Sequence, residues 1–274
     1  MLATRILTAA VLVPLVLAGL FLLPPRGWGL ATTLVIAIAA WEWATLTALR
    51  GVPRGAFVAV TGASALALLW LPAFGFEGGW PTLVVVLVCG AATTFWLAVV
   101  PFWLRGQWRM RSAFVAAAVG WVVLLATWVA IVAMQAQSPW RVLAAMAVVW
   151  IADTAAYFSG RAFGRHKLAP AISPGKTWEG VAGAVLAVAL YAALLVASSS
   201  GALATAMPVV GWVLLAVAVA GVSVCGDLFE SLMKRQAGVK DSGRILPGHG
   251  GVLDRIDALL AAMPPFAVAA VLLA

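Results

Sequence analysis

MPVVGWVLLAVAVAGVSVCGDLFESLMKRQAGVKDSGRILPGHGGVLDRID, residues 207–257, decides how the chain is read. Its first 20 residues carry no charge, which is enough for a helix to cross the ~30 Å of hydrocarbon in a bilayer. The 31 residues that follow hold Asp227, Glu230, Asp241, Asp254 and Asp257 against Lys234, Arg235, Lys240, Arg244 and Arg255, with His249 among them. Only 9% of the whole chain is charged, so this stretch is a concentration. Charge beside lipid is costly, and membrane proteins keep it where it is paired or used. The chemistry is therefore expected here.

Working outward, the 274 residues are 65% hydrophobic with mean hydropathy +1.09, far above the roughly 45–50% apolar usage of soluble domains. Apolar runs lie near 6–23, 28–49, 56–73, 81–100, 112–134, 140–160, 178–198, 207–226 and 258–274, each close to one membrane crossing. The pattern predicts an all-α polytopic membrane protein with about nine transmembrane helices. The first run follows Arg5 but meets Pro24-Pro25 with no small-residue cleavage pattern, so it is expected to remain as a helix. No linker interrupts the chain, which reads as one membrane domain over 1–274. Only Glu42 and Glu77 are acidic before residue 150, so 1–139 is expected to be scaffold. The catalytic half is then 140–274, with loops 161–177 and 227–257 facing the cytoplasm.

Nine spans alternate the connecting segments between two sides. One side receives Arg5, Arg50, Arg54, Arg105, Arg109, Arg111, Arg161, Arg165, Lys167, Lys176 and the five cations of 227–257, while the other receives Arg26 and Arg141. That asymmetry puts the N-terminus and the charged stretch in the cytoplasm. The outer side keeps short turns such as 72–80 and 198–207. The charge of +8 does not indicate nucleic acid, because the basic residues flank apolar runs instead of forming a patch on a soluble fold. Cys89 and Cys225 have neither zinc spacing nor a C-x-x-C partner and read as small core residues.

Within the charged stretch, Asp227, Glu230, Ser231, Lys234 and Arg235 fall on one helical face. Asp227 ends an apolar run, where a carboxylate without a use would be expensive. Downstream, Pro247 to Gly251 form a glycine-rich turn, and Gly250 and Gly251 allow backbone amides to approach phosphate oxygens. Asp254 and Asp257 stand three apart at the start of the last span. Together with Asp227 they offer oxygen ligands for a hard cation, since Mg²⁺ commonly takes one or two carboxylates plus substrate phosphates. Ser231 is a candidate hydroxyl for phosphate or metal, and His249 a phosphate contact or a base.

Two further places carry chemistry. Ser173-Pro-Gly-Lys176-Thr-Trp-Glu-Gly180 suggests a phosphate loop, but Pro170 stands where that motif needs glycine and no β–α–β context is expected around it. Lys176 before a helix N-terminus remains a candidate phosphate contact. Asp153 is an intramembrane carboxylate beside Trp150 and Tyr157. Glu42, between Trp41 and Trp43, reads as structural.

Ser231-x-Met233-Lys234-Arg235, then Lys240-Asp241-x-Gly243, then Leu246-Pro247-x-His249-Gly250-Gly251-Val252-x-Asp254-Arg255-Ile256-Asp257 resembles the motif of the phosphatidate cytidylyltransferase (CDP-diacylglycerol synthase) family position by position. Asp153 and the Ser173–Gly180 segment look like a second region of that family. The resemblance implies transfer of CMP from CTP to phosphatidic acid, giving CDP-diacylglycerol and pyrophosphate. It also implies Mg²⁺ held by Asp227 and Asp254, with room for a second metal ion, and a homodimer in a bacterial inner membrane with the site facing the cytoplasm. In that frame Lys234, Arg235, Lys240 and Arg255 are expected to neutralise phosphate charge, and Ser231, Lys176, Gly250 and Gly251 to bind substrate. Asp241 and Asp257 would orient the cations, and His249 would close the loop.

Three rivals share parts of the pattern. A transporter would fit intramembrane acids, but a dense loop at one face is unlike paired broken helices at the midplane. A CDP-alcohol phosphotransferase needs an aspartate-rich D-G-x-x-A-R motif that is absent here. A CTP-using lipid kinase differs only in which phosphate is attacked.

Overall fold

The computed structural model describes residues 2–199 and 206–273, leaving aside the side chains of Leu2, Ala3 and Arg5. Among the described residues, long helices follow one another: α1 (Leu2–Leu22), α2 (Pro25–Leu46), α3 (Val52–Trp70), α4 (Thr82–Gly106), α5 (Ala113–Gln137), α6 (Pro139–Phe163), α7 (Trp178–Ala197), α8 (Val209–Gln236) and α9 (Leu253–Leu272). From α2 onward each is long and apolar enough to cross a membrane, whereas the apolar part of α1 is the shorter Ile6–Leu22. Every expected apolar run is thus helical. Most of the 198–207 turn and the Arg5 side chain lie outside the described residues.

The structure departs from the expected boundaries in three places. α8 continues to Gln236 instead of stopping near residue 226, because no helix breaker intervenes before Gly238, which takes a positive φ of 73°. α9 already begins at Leu253, so only 237–252 of the charged stretch is loop. Between α6 and α7 the chain forms a two-stranded antiparallel hairpin, β1 (Lys167–Ala169) and β2 (Ser173–Thr177). Thr177 then caps α7, its hydroxyl accepting from the Gly180 amide at 3.1 Å.

α5 is the central helix, and its polar side chains mend what prolines break. Pro264 inside α9 has no N–H for the Leu260 carbonyl. Thr127 of α5 donates to that carbonyl instead, at 3.1 Å. Pro24 likewise cannot serve the Leu20 carbonyl, which receives Gln135 Nε2 at 3.3 Å. In lipid such groups have no water to turn to, so protein partners matter more than in a soluble fold. The tightest helix approaches use glycine. A Cβ on Gly226 of α8 would come within 2.7 Å of the Asp257 carbonyl and 2.8 Å of Ala261 Cβ on α9. Only a bare backbone lets those two helices meet there. Outward, Leu186, Leu190 and Leu194 form an exposed stripe on α7, the apolar surface a bilayer covers.

Polar contacts gather at one end of the bundle. Thr8 near the start of α1 donates to the Pro247 carbonyl, and Glu42 near the end of α2 reaches Val252 and Leu253. Gln236 at the end of α8 donates to the Gln107 and Trp108 carbonyls after α4, and Arg235 to the Ile172 carbonyl in the hairpin. The opposite end joins Gln135 to Leu20 and Leu23, and Arg141 to Ala270. Alternating passes therefore return the even-numbered connections to the same end as the start of α1, as the charge count requires.

Candidate active site

The site is built where the end of α8, the 237–252 loop and the start of α9 meet α2 and the hairpin. Its first centre is Asp254. One carboxylate oxygen accepts from Lys234 Nζ at 2.7 Å, and the other accepts the amides of Gly251 at 2.8 Å and Ser242 at 2.9 Å. Lys234 also pairs with Glu230, one helical turn earlier on α8, so it clasps α8 to α9 between two carboxylates. These three side chains are 12%, 3% and 5% exposed for Lys234, Glu230 and Asp254, which makes this a desolvated charge network.

The glycines of the loop are explained by that crowding. Gly250 adopts φ 84° and pairs with Leu246, and a Cβ there would stand 2.8 Å from Asp254 Oδ2. At Gly251 a Cβ would meet Glu42 Oε2 at 2.6 Å. The Gly251 amide, expected to face phosphate, is engaged by Asp254. His249 is partly buried, donates its backbone N–H to Leu246 and accepts Arg255 Nε on its carbonyl at 2.8 Å. Its Nδ1 is enclosed with no hydrogen-bond partner among the described residues.

A second centre lies between α8 and the hairpin. Lys176 on β2 pairs with Asp227 Oδ2 at 2.6 Å, and the Ser231 hydroxyl donates to Asp227 Oδ1 at 3.3 Å. Asp227 and Lys176 are 29% and 25% exposed, considerably more open than Asp254. Asp153 of α6 lies within electrostatic range of both, and Asp257 within range of Asp227, Glu230 and Lys234. The two centres are therefore one continuous polar seam. Around its mouth Arg235, Lys240, Asp241, Arg244 and Arg255 are exposed.

The expected face of α8 splits three ways. Glu230 and Lys234 turn inward to α9, Asp227 and Ser231 turn to Lys176, and Arg235 faces out. Among the described residues no three His, Cys, Asp or Glu side chains gather into a metal-binding group. Two polar groupings add to the sequence reading: Glu42, read as structural, proves to have its partners in the charged stretch, and His166 is not among the residues singled out. Glu42 is 2% exposed and accepts three hydrogen bonds from the 242–253 segment. His166 closes onto Glu179, its Nδ1 at 2.7 Å from Oε1 and its backbone N–H at 3.2 Å, beside a cleft lined by Phe163, Gly164 and Arg165. The only signal for Glu42 was a carboxylate inside an apolar run, and for His166 its place in the loop before α7.

Residues 3–273 match the model of the cytidylyltransferase family. Several curated bacterial proteins are similar over nearly their whole length. A phosphatidate cytidylyltransferase from Pseudomonas aeruginosa is 42% identical, the alignment covering 97% of this chain and 96% of that protein. One from Haemophilus influenzae is 35% identical, with 97% of each chain covered. One from Brucella suis is 39% identical over 95% of this chain and 90% of its own.

Proposed function

The chain belongs to the cytidylyltransferase family, and from that premise we propose how its polar seam works. It is a membrane-embedded, CTP-using nucleotidyltransferase of phospholipid synthesis: CMP passes from CTP to phosphatidic acid, and CDP-diacylglycerol and pyrophosphate leave. The lipid phosphate is already an anionic nucleophile, so an oxygen of it can attack the α-phosphorus without a base or a covalent enzyme intermediate. The α–β phosphoanhydride bond breaks and its electron pair leaves with pyrophosphate. What the protein must supply is alignment and positive charge where charge develops.

The observation that carries this reading is the cation-rich end of an otherwise apolar bundle, where Lys176 pairs with Asp227, Arg235 reaches the hairpin and Arg255 the His249 turn, with Lys240 and Arg244 exposed in the same loop. CTP reaches that end from water while the acyl chains of phosphatidate stay in lipid. We assign the exposed cations to the triphosphate and lipid phosphate, with Lys176 joining them from β2. Lys234, expected to face phosphate, is given to the scaffold, since two carboxylates already hold it.

Mg²⁺ fits the donor set as an ion completed by substrate oxygens. Asp227 is the first carboxylate we assign to it, being open and already drawing a cation, Lys176, to its oxygen. Asp254, only 5% exposed and accepting one donor on Oδ1 and two on Oδ2, is the more enclosed second carboxylate we assign to it. When bound, such an ion would supply positive charge to the phosphates. A second ion and a homodimer are further proposals from the resemblance, and the polar end is proposed to face the cytoplasm.

The test is turnover of CTP and phosphatidic acid by purified protein in detergent, following CDP-lipid and pyrophosphate with and without Mg²⁺. Equal, Mg²⁺-dependent amounts of both products are expected, and Asp227→Asn is expected to abolish them while the protein stays folded. Release of CDP in place of pyrophosphate would point to a lipid kinase. Near-normal turnover by Asp227→Asn would remove the metal assignment.

A further inference from the structure

Glu42 stands on α2, some 200 residues from the charged stretch, yet its carboxylate is aimed at it. Oε2 accepts the Leu253 amide at 2.7 Å and the Ser242 hydroxyl at 3.2 Å, and Oε1 accepts the Val252 amide at 3.1 Å. These donors begin α9, whose own N-cap position, Val252, supplies no side-chain cap. A helix start leaves its first amides without partners, and a carboxylate there is favoured both by hydrogen bonding and by the helix dipole. The remaining groups of that turn are served from the same cluster: the Asp254 amide donates to Ser242 Oγ at 3.3 Å, and Arg255 N to the Val252 carbonyl. Ser242 is therefore the shared member, donating to Glu42 and accepting from the first turn of α9.

Space around Glu42 is equally committed. A Cβ on Gly243 would run into its carboxylate, and one on Gly251 into Ser242 Oγ as well as that carboxylate, so both glycines are shaped to the Glu42–Ser242 pair. Such a buried charge would be costly for stability alone, and a well-packed apolar residue would serve a plain helix contact as well. Its cost is understandable if the position of α9 relative to the loop matters to within a fraction of an ångström.

We propose that Glu42 is a positioning residue for transfer, a cap supplied from a distant helix that holds the 242–253 segment in the register at which Arg255 and the His249 turn meet phosphate. The inference rests on the functional reading above. Gln in its place keeps the size but turns one acceptor into an NH₂ donor facing N–H or O–H groups, so at least one contact is lost.

The experiment compares Glu42→Gln and the milder Ser242→Ala with Trp80→Phe, which removes a buried hydrogen bond to the Leu68 carbonyl at the other end of the bundle. Hydrogen exchange is measured on each purified protein without substrate, and kcat and KM for CTP alongside thermal unfolding. Faster exchange confined to 240–255 is expected in Glu42→Gln and Ser242→Ala. A fall in kcat of about a hundredfold, as small displacements of reacting groups produce, is expected for Glu42→Gln, and a smaller one for Ser242→Ala. Trp80→Phe should keep kcat despite a comparable fall in melting temperature, and Glu42→Asp should not rescue, being one methylene short. Unchanged exchange at 240–255, or activity that falls only in step with melting temperature in all variants, overturns the proposal. A wild-type protein inactive on CTP and phosphatidate overturns the functional reading instead, while the exchange result still reports whether Glu42 holds the segment.

Discussion

Lys234 and Arg235 adjoin in sequence and do different work. Successive helix positions are about 100° apart, so a basic pair at the end of α8 cannot point one way. Lys234 is buried between Glu230 and Asp254, and Arg235 is exposed and holds the hairpin through the Ile172 carbonyl. Removing the buried cation leaves two carboxylates facing each other without compensation, a change that typically costs about 3–5 kcal/mol. Lys234→Met is thus expected to lower the melting temperature sharply and to abolish activity as a consequence. Lys240→Ala, at an exposed site, is expected to leave melting unchanged and to raise KM for CTP severalfold. Thermal unfolding in detergent and steady-state kinetics separate the two. The sequence marked all these charges as a group, because charge in an apolar chain needs no structure to be noticed. It could not divide them into clasp and contact, since that depends on which side of α8 finds Asp254. Glu42 was legible only as an oddity: its partners lie 200 positions away, beyond any periodicity.

At the scale of elements, the apolar runs were readable because each needs the same length, and their caps and prolines have local causes such as Ser138 before Pro139 and Thr177 before Trp178. The hairpin over 167–177 was not readable. Its strands are short, with Trp178 donating its amide to the His166 carbonyl to close their ladder, and the hairpin is held from outside by Arg235 gripping Ile172. The close approach of α8 and α9 is likewise a tertiary fact that rests on Gly226. A larger residue there meets backbone and a Cβ, neither of which can swing aside. Gly226→Val is expected to push α9 away, separate Lys234 from Asp254 and lose activity together with thermal stability. Gly221→Ala, five residues earlier with nothing near its Cβ direction, should be silent in both measurements. Equal effects from the two would mean that helix propensity, and not the α8–α9 contact, sets the outcome.

For the whole molecule, the arrangement of charge and the arrangement of helices are two independent routes to the same topology. Counting cations divides them fifteen to two between alternating connections. Contacts bring the start of α1, the end of α2, the segment after α4, the hairpin and the 237–252 loop to one end, which gathers the cation-rich connections. Arg141 bonds at the other end, to the Ala270 carbonyl. Had one helix been omitted or added before α7, the cations would be scattered over both ends. Neither route fixes which end faces the cytoplasm; that step rests on the general excess of Lys and Arg in cytoplasmic loops. It can be measured with cysteines placed at Lys240, exposed in the polar loop, and at Glu77, exposed in the turn between α3 and α4. In spheroplasts with an intact inner membrane, a maleimide that cannot cross lipid is expected to label Glu77→Cys at once and Lys240→Cys only after permeabilisation. The native cysteines interfere little, Cys89 being buried and Cys225 partly so. The reverse labelling order would invert the protein in the membrane. Phosphatidate would then have to be used from the outer leaflet, where CTP is not made, so the orientation is a condition for the reaction as well as a consequence of the charges.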